Sequence, residues 1–461
     1  MSPAARRREQ LERIRAAALA AVEPAAAVAR ALSLHGDGLP AGPCLVARAE
    51  AGSVRIVAAG KAAAAMTESA AAILGPRLGR GVLVTKRGHL AGRPLPPTVR
   101  TFEAGHPVPD EAGVEAVAAI EELLSGGREG DVVVALLSGG ASALLADPAD
   151  GISLADLAAT TDLLLRSGAT IVELNAVRKH LSRLKGGGLA RLAAPAAVVA
   201  LVLSDVVGDP LDVIASGPAA PDPTTFADAW SVVERRGLAD LVPGPVLQRL
   251  RDGLDGRAAE TPKPGDAVFG RVHVSLVGSN RLAALAVARE ARELGYAAQL
   301  LSTRVEGEAR DVGRIVAALG RSLVEDGDPF PPPACLVFGG ETTVTVKGPG
   351  RGGRNQELAL AAALALEGTE GVSVMALATD GTDGPTDSAG AIVDGGTAGA
   401  VRAAGIDPVA ALLANDSGPA LDAAGAQMRT GPTGTNVNDL YVVLAGASAN
   451  TTRSLPSRLP R

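Results

Sequence analysis

The apolar positions of the chain fall into two patterns. Short unbroken runs at 54–58, 81–85, 131–137 and 198–203 carry almost no polar alternation, as expected of strands buried on both faces of a parallel sheet. Between them, apolar side chains recur at helical spacing over 62–74 and 111–124, and Thr170 with Glu173 forms a capping box that opens a further helix running to Gly186. On that helix Ile171, Leu174, Val177, Leu181 and Leu184 make the buried face. Arg178, Lys179, Arg183 and Lys185 are spread over the rest, where basic side chains complement a helix C-terminus. Regular alternation of strand and helix predicts a doubly wound sheet. A Gly-, Pro- and charge-rich stretch at 254–266 reads as an exposed boundary. Beyond it a second α/β unit is expected to start with the strand 273–277, followed by strands at 298–301, 336–338, 343–346, 372–378 and 440–444 and a helix at 356–366. The domain limits expected are therefore 1–255 and 266–461. At the N-terminus Leu11, Ile14 and Ala18 mark one face of an amphipathic helix.

Composition narrows the possibilities. With 461 residues, a net charge of −6 and only 2% aromatics, the chain has neither a basic surface for nucleic acid nor the rings to stack bases. Apolar runs stay short of the ~18 residues a membrane helix needs. Two cysteines, Cys44 and Cys335, make no disulfide framework or zinc pattern and fit a reducing cytoplasm. Six of the 44 basic residues are lysines, so a lysine at a strand end is conspicuous.

Candidate chemistry collects where apolar runs end. The run 54–58 ends at Gly60-Lys61 before an Ala-rich helix, where an ammonium can reach an anion held at the helix N-terminus. The run 131–137 opens into Ser138-Gly139-Gly140, short enough for close approach of a small acid or phosphate, and 198–203 ends in Ser204-Asp205. His106 lies in a proline-stiffened loop and reads as a loop-fixing hydrogen bonder. The densest cluster is 335–387: a strand ending in Gly339-Gly340-Glu341, a Gly348–Gly353 loop whose main-chain N–H groups and following helix suit an anion, and a strand emptying into Asp380, Asp383 and Asp387. Arg354, Glu341 and Asp380 are expected to converge on one phosphate and its metal. Gly348, Gly350 and Gly353 also satisfy the dinucleotide fingerprint, which argues for a reductase. No Walker A sequence occurs. Asn436, in a polar loop before the last strand, suits hydrogen bonding to a polyol or phosphate.

The segments AAGKAAAAM, AGHPVPD, LLSGGASALL, NAVRKHLSRLKGGGLA, LVLSDVVGDPLDVIASGP, GGETTVTVKGPGRGGRNQELAL, ATDGTDGPTDSAGA and GPTGTNVNDLYVVL, in this order, resemble the glycerate 2-kinases. The resemblance covers nearly the whole chain. It implies an α/β protein of two domains: an N-terminal Rossmann-like doubly wound parallel sheet, and a C-terminal α/β domain containing a MOFRL region at about 333–445, with the active site in the inter-domain cleft. It implies ATP-dependent phosphorylation of D-glycerate at the 2-hydroxyl with Mg²⁺ or another divalent cation, in a cytoplasmic enzyme, with a homodimer allowed for. Carried over residue by residue, the family's functional positions fall on Lys61, Asp205, Glu341, Arg354, Asp380 and Asn436. Lys61, Arg354, Asp205 and Asn436 are expected to be catalytic, Asp380 and Glu341 to hold the metal, and Ser138, Gly139, Gly140, Gly339 and Gly340 to line substrate or nucleotide. The carboxylate that takes the hydroxyl proton, and whether Arg354 grips the glycerate carboxylate or the phosphoryl group, are left open. The alternatives are an NAD(P)H-dependent hydroxypyruvate reductase and a sugar-acid binding protein without chemistry.

Overall fold

The chain begins with helix α1 (Pro3–Ala21), on which Leu11, Ile14 and Ala18 are fully buried, as their spacing predicts. The computed structural model describes residues 2–32, 46, 49–90 and 92–446, so Cys44 lies outside the described residues. Two compact units emerge, one of residues 22–279 and one that joins residues 1–21 to residues 280 onward.

In the first unit the unbroken apolar runs become β1 (Val54–Ala59), β2 (Leu78–Lys86), β3 (Val99–Ala104), β4 (Val132–Leu137) and β5 (Ala197–Leu203). A sixth strand, β6 (Val272–Gly278), pairs with β5 in parallel, giving the order β3-β2-β1-β4-β5-β6 with every pair parallel. Successive residues of β1 serve opposite faces: Val57 and Ala59 pack into one core, Ile56 and Ala58 into another. Helices α2 (Ala63–Leu74), α3 (Glu111–Leu124) and α4 (Ile171–His180) belong to this unit. The strand expected to open the second unit is thus the last strand of the first sheet. The stretch before it is no free linker, because Asp222 N–H donates to Pro262 O (2.9 Å) and Thr261 Oγ1 to Asp222 Oδ2 (2.9 Å). The capping box at Thr170 forms as expected, but α4 ends at His180 rather than near Gly186.

The second unit holds α5 (Asn280–Glu293), β7 (Ala297–Val305), α6 (Ala309–Glu325), β8 (Ala334–Gly340), α7 (Arg354–Ala365), β9 (Val372–Ala378), β10 (Gly390–Asp394), β11 (Gln427–Met428) and β12 (Asp439–Ala445). Their order is β11-β10-β9-β12-β8-β7, with β12 antiparallel to both of its neighbours. That insertion sets Asp439, the first residue of β12, opposite both Gly340 and Ala378. Helix α1 is fastened here: Arg13 pairs with Glu290 (2.7 Å) and Arg7 Nε donates to Ser373 Oγ (3.0 Å). The alternating segment 343–346 is not a strand. Thr343 makes one isolated backbone bridge with Glu308, after which Thr345 N–H donates to the Glu308 carboxylate (3.1 and 3.2 Å) and Val346 is exposed, so a side chain takes over where a ladder would continue. Cys335 is a buried free thiol that burial pushes up to about 12, which keeps it inert. Among the described residues no helix is long and apolar enough to cross a membrane.

Candidate active site

In the first sheet the strand order reverses between β1 and β4, the place where an open α/β sheet leaves a crevice at its carboxyl edge. The turns after these two strands are stitched together. Ser138 N–H donates to Ala59 O (3.0 Å), Lys61 N–H to Gly139 O (2.9 Å), and Ala62 N–H to Ser138 Oγ (3.1 Å). Ser138 is buried, and its hydroxyl fixes the residue just before α2 and so holds the crest in shape. A Cβ on Gly60 would collide with Ser138, and one on Gly139 with the Asp205 carboxylate, which puts the turn after β5 against the turn after β4. A Cβ on Gly140, which has φ 87°, would stand 3.1 Å from the His106 ring and 3.5 Å from Lys61 Cγ. Lys61, His106, Gly139, Gly140 and Asp205 therefore gather at one edge. Among the described residues no carboxylate forms an ion pair with the Lys61 ammonium. Burial, then the nearby Lys61 charge, hold the His106 imidazole below its ordinary value and so neutral.

In the second unit Arg354, the first residue of α7, is gripped from two sides. Its Nε and Nη2 donate to the two Asp439 oxygens (2.5 and 3.2 Å) and its Nη1 to Glu341 Oε1 (2.7 Å). Asp439 is fully buried, and burial pushes its carboxyl up to about 6 against the pull of Arg354. Tyr441 Oη adds a donor to it at 3.3 Å. Burial works against the Arg354 charge, but Asp439 and Glu341 outweigh it and hold the guanidinium protonated, above its ordinary value. Asp380 follows β9, and one of its oxygens takes the Thr382 N–H (3.0 Å). A pocket of about 620 Å³ opens here, lined among others by Thr342, Arg354, Glu357, Asp380, Asp383 and Asn415.

Much of this loop cluster is already satisfied from within the chain, although Gly352 and Gly353 still line the pocket. The N-terminus of α7 is already filled by an anion of the chain: Asp383 accepts from the Asn355 and Gln356 N–H groups (3.0 and 2.8 Å) and from both of their side-chain amides. Within the Gly348–Gly353 loop the main-chain N–H groups of Gly348, Gly350 and Arg351 are likewise taken. Lys347 and Gly348 donate to Asn415 Oδ1, Gly350 to Ala414 O, and Arg351 to Asp416 Oδ1. Gly348 and Gly350 lie where a Cβ would strike the turn at 414–416. With no strand before it and the Asp383 carboxylate seated on the helix end after it, the loop lacks the context of a dinucleotide fingerprint.

Gly339 and Gly340 also have steric reasons to be glycine. A Cβ on the first would strike Asn280 and on the second the Val305 backbone. Asn436 Oδ1 accepts from Asn438 N–H (3.1 Å) and so shapes the loop that delivers Asp439. Of the predicted residues, Glu341 and Arg354 form a direct ion pair and Asp380 joins Arg354 on the pocket wall, while in the first unit Asp205 lies over Gly139 and Lys61 over Gly140. Among the described residues no three His, Cys, Asp or Glu side chains cluster as a metal cage. Asp439, which clamps Arg354, is the residue that pattern reading missed. Its one signal is an acid opening a wholly apolar strand.

A family profile described as a domain of unknown function (DUF4147) matches residues 10–251, and the MOFRL family profile matches residues 334–439. The D-glycerate 2-kinase of Thermotoga maritima is 48% identical over 85% of this chain and 90% of its own length. The chain belongs to the glycerate 2-kinase family. The crystal structure of a Thermotoga maritima glycerate kinase matches with a TM-score of 0.86 at 44% identity, covering 95% of this chain and 99% of that one. The two α/β units are therefore the glycerate 2-kinase fold. Another relative, from Agrobacterium vitis, 43% identical over 95% of this chain and 94% of its own length, carries the label of a hydroxypyruvate reductase.

Proposed function

We propose that the chain is an ATP-dependent kinase that phosphorylates the 2-hydroxyl of D-glycerate, giving 2-phosphoglycerate and ADP. The observation that carries this reading is the polar pocket whose cation, Arg354, is fixed in place by Asp439 and Glu341 beside the Asp380 carboxylate. Phosphoryl transfer asks the protein mainly to position reactants and to neutralise charge, and a pre-set guanidinium does both. Arg354 is assigned to the phosphates of ATP. Lys61, at the switch-point edge, is assigned to the transferring phosphoryl group. Asp205, over Gly139 in the same group of turns, is assigned to take the 2-hydroxyl proton. Gly139 and Gly140 let a small acid approach the backbone there, and Asn436 acts by shaping the loop before Asp439.

Asp380 is fitted to a divalent cation, since it lines the pocket with one oxygen already set by Thr382 N–H. Glu341 contributes at most the oxygen not paired with Arg354. Two carboxylates suit Mg²⁺, which keeps waters and substrate phosphates among its ligands. Bound there, it would neutralise charge on the β- and γ-phosphates. ATP-dependent chemistry on a small metabolite assigns the enzyme to the cytoplasm.

The test is ADP release from purified protein on adding ATP, Mg²⁺ and D-glycerate, run beside NADH oxidation with hydroxypyruvate. ADP release that needs D-glycerate and stops with EDTA is expected, together with binding of Mn²⁺ that Asp380→Asn weakens in the presence of ADP. NADH oxidation without glycerate-dependent ADP release would reverse the assignment.

A further inference from the structure

The basic residues at the end of α4 and just beyond it are individually matched to carboxylates. Lys179 pairs with Asp212 (3.1 Å) and Asp222 (3.3 Å), His180 with Glu260 (3.1 Å), Arg183 with Glu121 (3.2 Å), and Lys185 with Asp147. Arg178, in the same run, is half-buried, and among the described residues it has neither an ion pair nor a side-chain hydrogen bond. Burial alone pushes its guanidinium below its ordinary value. A cation taken out of water without a counter-charge is costly, and a chain that pairs every neighbour has left this one unpaired.

The face that carries it leads to the crest of the first sheet. Asn175, one helical turn earlier on α4, accepts from Ser216 Oγ (3.1 Å), and the hydroxyl pair Ser142–Ser216 closes at 2.8 Å. Because the Ser216 proton is committed to Asn175, Ser142 is the donor in that pair. Ser142 lies in the one-turn helix Ala141–Leu144 that follows Ser138-Gly139-Gly140 at the end of β4. Residues three apart on a helix have side-chain origins roughly 5–6 Å from each other, so Arg178 neighbours the group that ties α4 to this turn. Ala215, Ser216 and Gly217 all take positive φ (53°, 60° and 65°) to make the tie. Consecutive non-glycine residues in that region are strained, and such strain concentrates where a ligand is held.

We propose that Arg178 is the carboxylate anchor of this enzyme: its guanidinium pairs with the carboxylate of the small hydroxy acid, beside the Ser142–Ser216–Asn175 chain that fixes its helix to the turn after β4. The inference rests on the kinase reading for the identity of the acid, D-glycerate. It also separates two roles left open for one residue, since Arg354 already spends three N–H donors on Asp439 and Glu341.

The test is Arg178→Gln, with Arg178→Lys beside it. Losing a charge-assisted pair should raise the KM for D-glycerate about 10- to 150-fold, while kcat stays within about threefold and the KM for ATP within about twofold. The unliganded variant should melt at or above the wild-type temperature, because an uncompensated buried charge has been removed. The lysine variant should recover part of the loss. A glycerate KM within about twofold of wild type, or a lower melting temperature with all kinetic constants moving together, overturns the proposal. Should the wild type not phosphorylate glycerate, the kinase reading fails on its own, and the shift in melting temperature with D-glycerate or lactate, without nucleotide, decides for Arg178. A wild-type shift that vanishes in Arg178→Gln supports the anchor. An equal shift in both proteins, or none in the wild type, refutes it.

Discussion

Two residues at strand ends set the chemistry proposed here, and they differ in how openly the sequence shows them. Lys61 is visible because a buried run stops at Gly60-Lys61 in a chain poor in lysine, and the structure places it beside Gly140 and His106. Lys61→Ala should cut turnover on the order of 10²- to 10³-fold, the effect of removing one charge stabiliser from a phosphoryl site, with the thermal transition unchanged. Turnover within about threefold of wild type would leave Lys61 a surface residue. Asp439 is hidden, because what brings it to Arg354 is the insertion of β12 between β8 and β9, a pairing no local pattern carries. Its carboxyl titrates near 6, and its protonation loosens the clamp on Arg354. Activity should therefore fall on an acid limb centred near pH 6, and Asp439→Asn should remove that limb while lowering turnover at pH 7.5. Stability should move the other way. A carboxyl raised from 3.8 to about 6 by burial contributes stability that is complete below about pH 4 and lost as pH rises through 6. Denaturant titrations at pH 4.5 and 7 on wild type and Asp439→Asn check the sign, and an acid limb that persists in the variant would assign it to another group.

Among the elements, unbroken apolar runs were the readable ones. Strands β1, β2, β4 and β5 lie where runs of Val, Leu and Ala predict them, since burial on both faces leaves no place for polar side chains. Alternation misled at 343–346, where the Glu308 and Asn415 side chains bond the Thr345 N–H and C=O that a ladder would otherwise take. Glycine spacing misled in the next loop, because Gly348 and Gly350 make room for the turn at 414–416 and Asp383 caps the helix end from outside. Helix α7 is buried from Asn355 to Ala363, so its first turn depends on that carboxylate for its N–H groups. Asp383→Ala should lower stability by about 2–3 kcal/mol, the loss of a helix cap together with buried charge-assisted hydrogen bonds. For a unit of this size that is a drop of roughly 4–12 °C in melting temperature. Unchanged melting with lost ATP binding would make Asp383 a ligand-binding group instead.

For the molecule as a whole, the chain enters the second unit, leaves it for residues 22–279, and returns at Asn280. The sequence showed α1 as an amphipathic helix without saying which core receives its apolar face, because periodicity reports that a face is buried and not against what. The same limit explains β6: a short apolar run after a Gly- and Pro-rich stretch fits the end of one sheet as well as the start of the next. The consequence is testable by cutting the chain. Burying Leu11 and Ile14 contributes about 3–6 kcal/mol together, a large share of what a domain has in reserve. Residues 280–461 made alone should therefore be unfolded or loosely packed, with slow hydrogen exchange missing along β9 and β12. Adding a peptide of residues 2–21 should restore that protection, and Leu11→Asp in the peptide should abolish the rescue. A fragment 280–461 that melts cooperatively at the temperature of the full chain would show that α1 lies on the second unit without supporting it.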